Sequence, residues 1–133
     1  MVNAQQIRET SVPEGWEGSL PEWLFYSSLV ELGYTEGNDF TYQSSLAGGR
    51  LDKGGAIIDF LFYNPPDLAV NVQGVYYHYE LGAEIKSRDI FTRQFLAGQG
   101  ITLIFVDEDD LLQDPVGITQ DALNYQDRSR LGG

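Results

Sequence analysis

Residues 56–79 read AIIDFLFYNPPDLAVNVQGVYYHY, and their pattern decides the fold. Two runs rich in Val, Ile, Phe and Tyr flank Asn64-Pro65-Pro66-Asp67. That composition belongs to strands buried on at least one face, and paired prolines cannot donate to a ladder, so the stretch predicts a hairpin turning at Asn64–Asp67. Asp59, Gln73 and His78 break the apolar pattern. A carboxylate between Ile58 and Phe60 costs roughly several kcal/mol if it is buried without a partner. Asp59 therefore calls for a cation, a backbone donor or a functional reason. Gln73 reads as a strand-end amide or a ligand, and His78 as a strand histidine or a group that titrates near neutral pH.

At 133 residues, with 42% hydrophobic and 13% aromatic side chains, the chain predicts one domain around a single core. No run approaches the ~18 consecutive apolar residues of a membrane helix. The start MVNAQQIRETSVPEGWEG has neither a basic nor an apolar leader region, so a soluble cytoplasmic protein without membrane contact is expected. Zero cysteines exclude disulfides, thiolate zinc and a cysteine nucleophile, and one histidine excludes a multi-histidine metal site. Eight Lys and Arg against twenty Asp and Glu give a net charge of -12, which opposes nucleic acid at long range. The charge is uneven. Glu9, Glu14 and Glu17 lie early, Asp107 to Asp110 and Asp114 late, and Arg50, Lys53, Lys86, Arg88 and Arg93 hold five of the eight basic residues between them.

Upstream of the hairpin, residues 1–18 read as an irregular arm that docks through Trp16. Ser19-Leu20-Pro21-Glu22 is a capping-box pattern, and Trp23 to Leu32 continue a helix that Gly33 stops. Glu22 is then a capping glutamate or, sharing a face with Tyr26 and Leu29, an inward-pointing carboxylate. Asp39–Leu46 predicts a first strand, and the glycines and basic residues of Gly48–Gly55 predict a flexible, locally positive loop. Downstream, Glu80–Ala97 has helical length with Lys86, Ile90, Arg93 and Ala97 on one face; Lys86 and Arg93 read there as a solvated face or as phosphate contacts. Ile101–Val106 is the strongest strand, and Asp107 caps the acidic start of a following helix. Pro115–Tyr125 adds a short helix. The domain occupies residues 19–126, and residues 127–133 read as a flexible tail. The order predicts an α/β fold with a mixed central sheet flanked by helices.

This order, α-β-β-β-α-β, resembles the restriction-endonuclease-like PD-(D/E)XK nuclease superfamily, most of all the branch of the very-short-patch mismatch-repair endonucleases. The resemblance covers about Pro21–Leu112. It rests on Glu22 in the first helix, Ile57-Ile58-Asp59-Phe60 after a glycine-rich loop, and Val72-Gln73-Gly74-Val75-Tyr76-Tyr77-His78 at a strand end. Arg88-Asp89, Arg93, Leu96, Gly100–Ile104 and Asp110-Leu111 continue it.

The resemblance implies DNA phosphodiester hydrolysis with Mg²⁺ or Mn²⁺. It makes Asp59 the essential metal ligand, with Val72 through its carbonyl or Gln73 through its amide oxygen as a second ligand. His78 would handle water or a phosphate, Glu22 a metal-bound water or a second ion, and Lys86 would stand in for a catalytic lysine. Arg50, Lys53, Lys86 and Arg93 would contact phosphates. In the wider family an acidic residue and then a lysine follow on the second strand, where this chain has Gln73 and Val75. Glu84-Ile85-Lys86 spells the acid-x-Lys pattern, but past the start of the second helix. The leading expectation is a small metal-dependent endonuclease. The alternative is a catalytically degenerate nuclease-fold protein serving assembly or interaction in a phage or mobile element, with a protein partner or a second copy of itself. A weaker third is a metal-dependent hydrolase of another phosphoester.

Overall fold

The computed structural model describes residues 12–42, 51–53, 56–74 and 82–130. In order these form α1 (Leu20–Glu31), β1 (Phe40–Tyr42), β2 (Leu51–Lys53), β3 (Ala56–Ile58), β4 (Phe60–Phe62), β5 (Leu68–Gln73), α2 (Gly82–Ala97), β6 (Thr102–Asp107), α3 (Glu108–Gln113) and α4 (Pro115–Leu123). Four strands make an open mixed sheet in the order β1-β4-β5-β6. β4 pairs antiparallel with both β1 and β5, and β6 lies parallel to β5 after the α2 connection. This is the α/β sheet flanked by helices that the residue order predicts.

The helix starts follow local chemistry. Ser19 Oγ accepts the Glu22 N–H at 3.2 Å while Glu22 Oε1 accepts the Ser19 N–H at 3.1 Å, completing the capping box, and Pro21 sits where no backbone donor is needed. Gly33 at φ +95° lets the chain leave α1, and Gly100 at φ +81° turns α2 into β6. Asp114 caps α4 by accepting the Gly117 N–H at 3.1 Å. The predicted hairpin is present, with Phe60 opposite Val70 and Phe62 opposite Leu68.

Side-chain alternation divides the core between the two faces of the sheet. Phe40, Tyr42, Phe60, Phe62, Leu68, Val70, Ile104 and Val106 pack against Leu24, Phe25 and Leu29 of α1, Leu111 of α3 and Ala122 and Leu123 of α4. On the other face Ala69, Leu103 and Phe105 meet Leu96 of α2. A fully buried Phe or Leu contributes about 1.5–3 kcal/mol, so the first, larger cluster fixes the position of α1. Trp16 docks as expected: it stacks on Tyr42 with ring centroids 5.0 Å apart and meets Trp23 and Tyr26 edge-on.

Four expectations are corrected. The strand through Asp59 is not continuous: the backbone bends at that residue, and β3 leaves the main sheet to pair with β2. Leu51–Lys53 is consequently a strand rather than part of a loop, because backbone groups diverging from β5 need another partner. Asp107 precedes α3 at the N-cap without a side-chain cap bond, since Arg130 engages its carboxylate. The segment expected to fray is docked through residue 130, with Ser129 buried. No helix among the described residues is long and apolar enough to cross a membrane.

Candidate functional site

One end of the sheet gathers its polar residues. Tyr42 pairs with Phe60, Phe60 with Val70, and Gln73 with Asp107, so the end of β1, the start of β4 and the C-terminal ends of β5 and β6 lie together. Ligands in open α/β sheets bind at such carboxyl ends. Asp59, Gln73 and Asp107 are buried there, at 3%, 8% and 1% exposure.

Asp59 sits at the bend, next in register to Asn71. The Asp59 N–H donates to Asn71 Oδ1 at 2.7 Å, and Asp59 Oδ2 accepts the Val72 N–H at 3.0 Å. Side chains thus continue the ladder where β3 has left it. This supplies a backbone donor for the buried carboxylate, and it also fixes the carboxylate's orientation, as supporting bonds do for metal-ligating acids. Asn71 is the residue that the sequence reading passed over. Its signal was strand parity: Asn71 and Gln73 stand two apart, so both point to the α2 face. The Gln73 side chain makes no hydrogen bond among the described residues although the residue is nine-tenths buried.

Glu22 lies at the same end but on the α1 face. Its Oε1 accepts the Tyr42 hydroxyl at 2.5 Å as well as the Ser19 N–H. Beside it, Tyr26 donates to Glu36 Oε1 at 2.8 Å. Burial, reinforced by that bond and the Glu36 charge, pushes the Tyr26 hydroxyl up to about 12.

At the end of β6, carboxylate oxygens of Asp107, Asp109 and Asp110 lie within 4.8 Å of one another. Arg130 bridges two of them: its Nη1 donates to Asp107 Oδ2 at 2.9 Å and Asp109 Oδ1 at 3.1 Å, and Nη2 donates to Asp109 Oδ2. The guanidinium holds the Asp109 carboxyl below its ordinary range, against an opposing effect of burial. Asp110 is pushed up by burial and by the charges of Asp109 and Asp107. The cluster thus already holds a cation from its own chain, and it carries no metal assignment alone.

The remaining sequence candidates are less fully placed. His78 and Arg50 lie outside the described residues, and Lys53 and Lys86 are placed only by their backbones in β2 and α2. The Arg93 guanidinium stands 5.8 Å from the centre of the Phe105 ring, a cation–π contact against the sheet. Val72 donates its N–H to Asp59.

Chemically, one anchored carboxylate and two neutral amides offer hard oxygen donors, which suit Mg²⁺ or Mn²⁺ but hold it more weakly than two carboxylates do. Compared with protein-family models, curated proteins and solved structures, the chain matches none.

Proposed function

We propose that the chain is a small metal-dependent phosphodiesterase of restriction-endonuclease-like fold that acts on DNA. The observation that carries this reading is the placement of Gln73: a residue nine-tenths buried, on the same strand face as Asn71 and one pair of positions beyond the Asp59–Asn71 exchange. The strand order, with an antiparallel β1-β4-β5 meander and a parallel β6 reached through α2, supports it.

Asp59 is the principal ligand in this reading, its Oδ2 steadied by the Val72 N–H. Asn71 and Gln73 offer amide oxygens from the neighbouring strand, and Val72 its carbonyl. A bound Mg²⁺ or Mn²⁺ there supplies charge stabilisation at a phosphate and eases ionisation of water. His78 is assigned to proton handling, and Arg50, Lys53 and Lys86 to phosphate contacts. Arg93, stacked on Phe105, would contribute positive potential from beside the sheet. Glu22 takes a structural role, because its carboxylate caps α1 and binds Tyr42 on the opposite face.

One observation favours a second reading, an inactive nuclease fold that serves assembly. Both side chains that β5 presents beside Asp59, Asn71 and Gln73, are uncharged, and the chain carries a net charge of -12. Asn71→Asp separates the two. A second carboxylate raises Mn²⁺ affinity by about tenfold, or ~1.4 kcal/mol, read by titration calorimetry against wild type and Asp59→Asn. Metal binding by wild type that Asp59→Asn abolishes supports the metal site. Binding that appears only in Asn71→Asp favours the inactive fold. No binding by any of the three overturns the metal reading.

A further inference from the structure

The outer side of α1 lacks the charges that a surface helix ordinarily carries there. Leu24, Phe25, Ser28 and Leu29 are buried, which leaves Trp23, Ser27 and Val30, spaced i, i+4 and i+7, on the outside. Val30 is 55% exposed. Trp16 meets Trp23 edge-on at 5.1 Å and Tyr26 stacks on it at 5.9 Å, so the outer side is an aromatic strip with Val30 at one end. Beside it two buried atoms have no hydrogen bond among the described residues, the donor Trp23 Nε1 and the acceptor Glu36 Oε2. Tyr26 joins their residues, since it stacks on Trp23 and donates to Glu36. Buried indole N–H groups ordinarily have a partner. The segment that builds the strip carries charge of one sign: from Glu9 to Gly49 the chain holds seven acidic residues and no Lys, Arg or His. Glu14 and Glu17 flank Trp16, Glu31 follows Val30, and all three are exposed.

We infer that the outer face of α1 docks a cationic, amphipathic segment of another protein, whose apolar side chains cover Trp23 and Val30 and whose Lys or Arg side chains meet the acidic rim. Charge complementarity selects this occupant. An anionic partner, nucleic acid included, meets carboxylates of its own sign there, and a second copy of this chain brings a net charge of -12. Trp and Tyr at the centre of a charged rim are also what protein interfaces are enriched in. A cation over Trp16 or Trp23 gains from the ring face. A partner carbonyl is the acceptor that the Trp23 N–H lacks, and a guanidinium is a donor for Glu36; side-chain rotation of the kind common at interfaces brings both atoms into reach. The face lies on the α1 side of the sheet, opposite Asn71 and Gln73, so it stands independently of the metal reading.

The test titrates the full chain with a short amphipathic peptide of Lys, Arg and Leu, and with the same peptide carrying Glu in place of every Lys and Arg. Calorimetry gives the affinity, and intrinsic fluorescence reports the place, because both tryptophans of the chain belong to the strip. Val30→Lys/Glu31→Lys changes two exposed residues of the face and leaves the core untouched. Ser87→Lys/Gln94→Lys/Gln99→Lys makes the same change in net charge at exposed positions on the α2 side. The expected result is binding of the basic peptide alone, with a change in tryptophan fluorescence. The face variant weakens it by at least about tenfold, or ~1.4 kcal/mol, and the charge-matched variant by far less. No binding by wild type, equal binding of the acidic peptide, or equal weakening by the two variants overturns the inference, the last because bulk charge then explains the binding. A wild-type dimer in sedimentation velocity that the face variant abolishes also overturns it, because a second copy is then what covers α1.

Discussion

Asn71 and Asp59 complete each other's strand: Asn71 Oδ1 takes the Asp59 N–H, and the Asp59 carboxylate takes the N–H of Val72, the residue after Asn71. The exchange stands where β3 bends away from β5, so two side chains replace the ladder bonds that the bend removes. It both closes the sheet and orients the Asp59 carboxylate.

Truncating Asn71 strands that arrangement. Asn71→Ala leaves the buried Asp59 N–H without its acceptor, which costs about 1–3 kcal/mol. A urea titration reads this as a lower midpoint at unchanged slope. An unchanged midpoint would contradict the exchange.

Glu22 is expected to matter for stability and little for chemistry. Glu22→Ala removes half the capping box and the acceptor of the Tyr42 hydroxyl, for about 1–2 kcal/mol. Glu22→Gln keeps an acceptor and retains most of that. Gly18→Ala disturbs the same place by a different route, since a Cβ there collides with the Tyr42 hydroxyl and Glu22 Oε1. Its expected signature is a change in Trp16 fluorescence as the ring leaves its stack on Tyr42. Unchanged fluorescence with normal stability would contradict the docking of the arm.

Tyr26 gives an alkaline signature. Its folded-state value of about 12 lies above that of an unfolded tyrosine, so the unfolded chain releases this proton first. The contribution to stability is full below the unfolded value and is lost as pH rises toward about 12. Ultraviolet titration should show one late-ionising tyrosine, and Glu36→Gln should bring it earlier by removing the Glu36 charge while keeping an acceptor.

The Arg130 clasp gives an acid signature of opposite sign. Asp109 is depressed by Arg130, so its contribution is present above the ordinary aspartate value and disappears as pH falls through the lower folded value. Asp110 is raised, so its ionisation works against the fold and its protonation partly offsets that loss. Arg130→Gln removes the partner of the buried Asp107 carboxylate, an effect between ~0–1 kcal/mol for exposed pairs and ~3–5 for buried ones. The variant should also show a flatter loss of stability in acid. An unchanged acid profile would contradict the pairing.

Local chemistry made much of the fold readable. Ser19, Pro21 and Glu22 announce α1, Gly100 and the apolar run after it announce β6, and Asn64–Asp67 announces the hairpin. The bend at Asp59 was not readable, because AIIDFLF is uniformly strand-like and the break depends on which strand accompanies each half. Asp59 and Gln73 stood out as polar residues in apolar runs. Asn71 was hidden between Val70 and Val72 until register placed it beside Asp59. The role of Asp107 was hidden differently: its sequence is that of a helix cap, while the partner that claims its carboxylate, Arg130, lies far along the chain.

The most direct measurement is cleavage of supercoiled, single-stranded and mismatched DNA by wild type and Asp59→Asn in Mg²⁺ and in Mn²⁺. The expected result is cleavage by wild type that depends on the metal and falls at least about a hundredfold in Asp59→Asn, the upper end of what losing a ligand's supporting partner alone does, with the folded circular-dichroism spectrum kept. Equal cleavage by both proteins, or none by wild type on any substrate with either metal, would contradict the assignment of this site to phosphodiester hydrolysis.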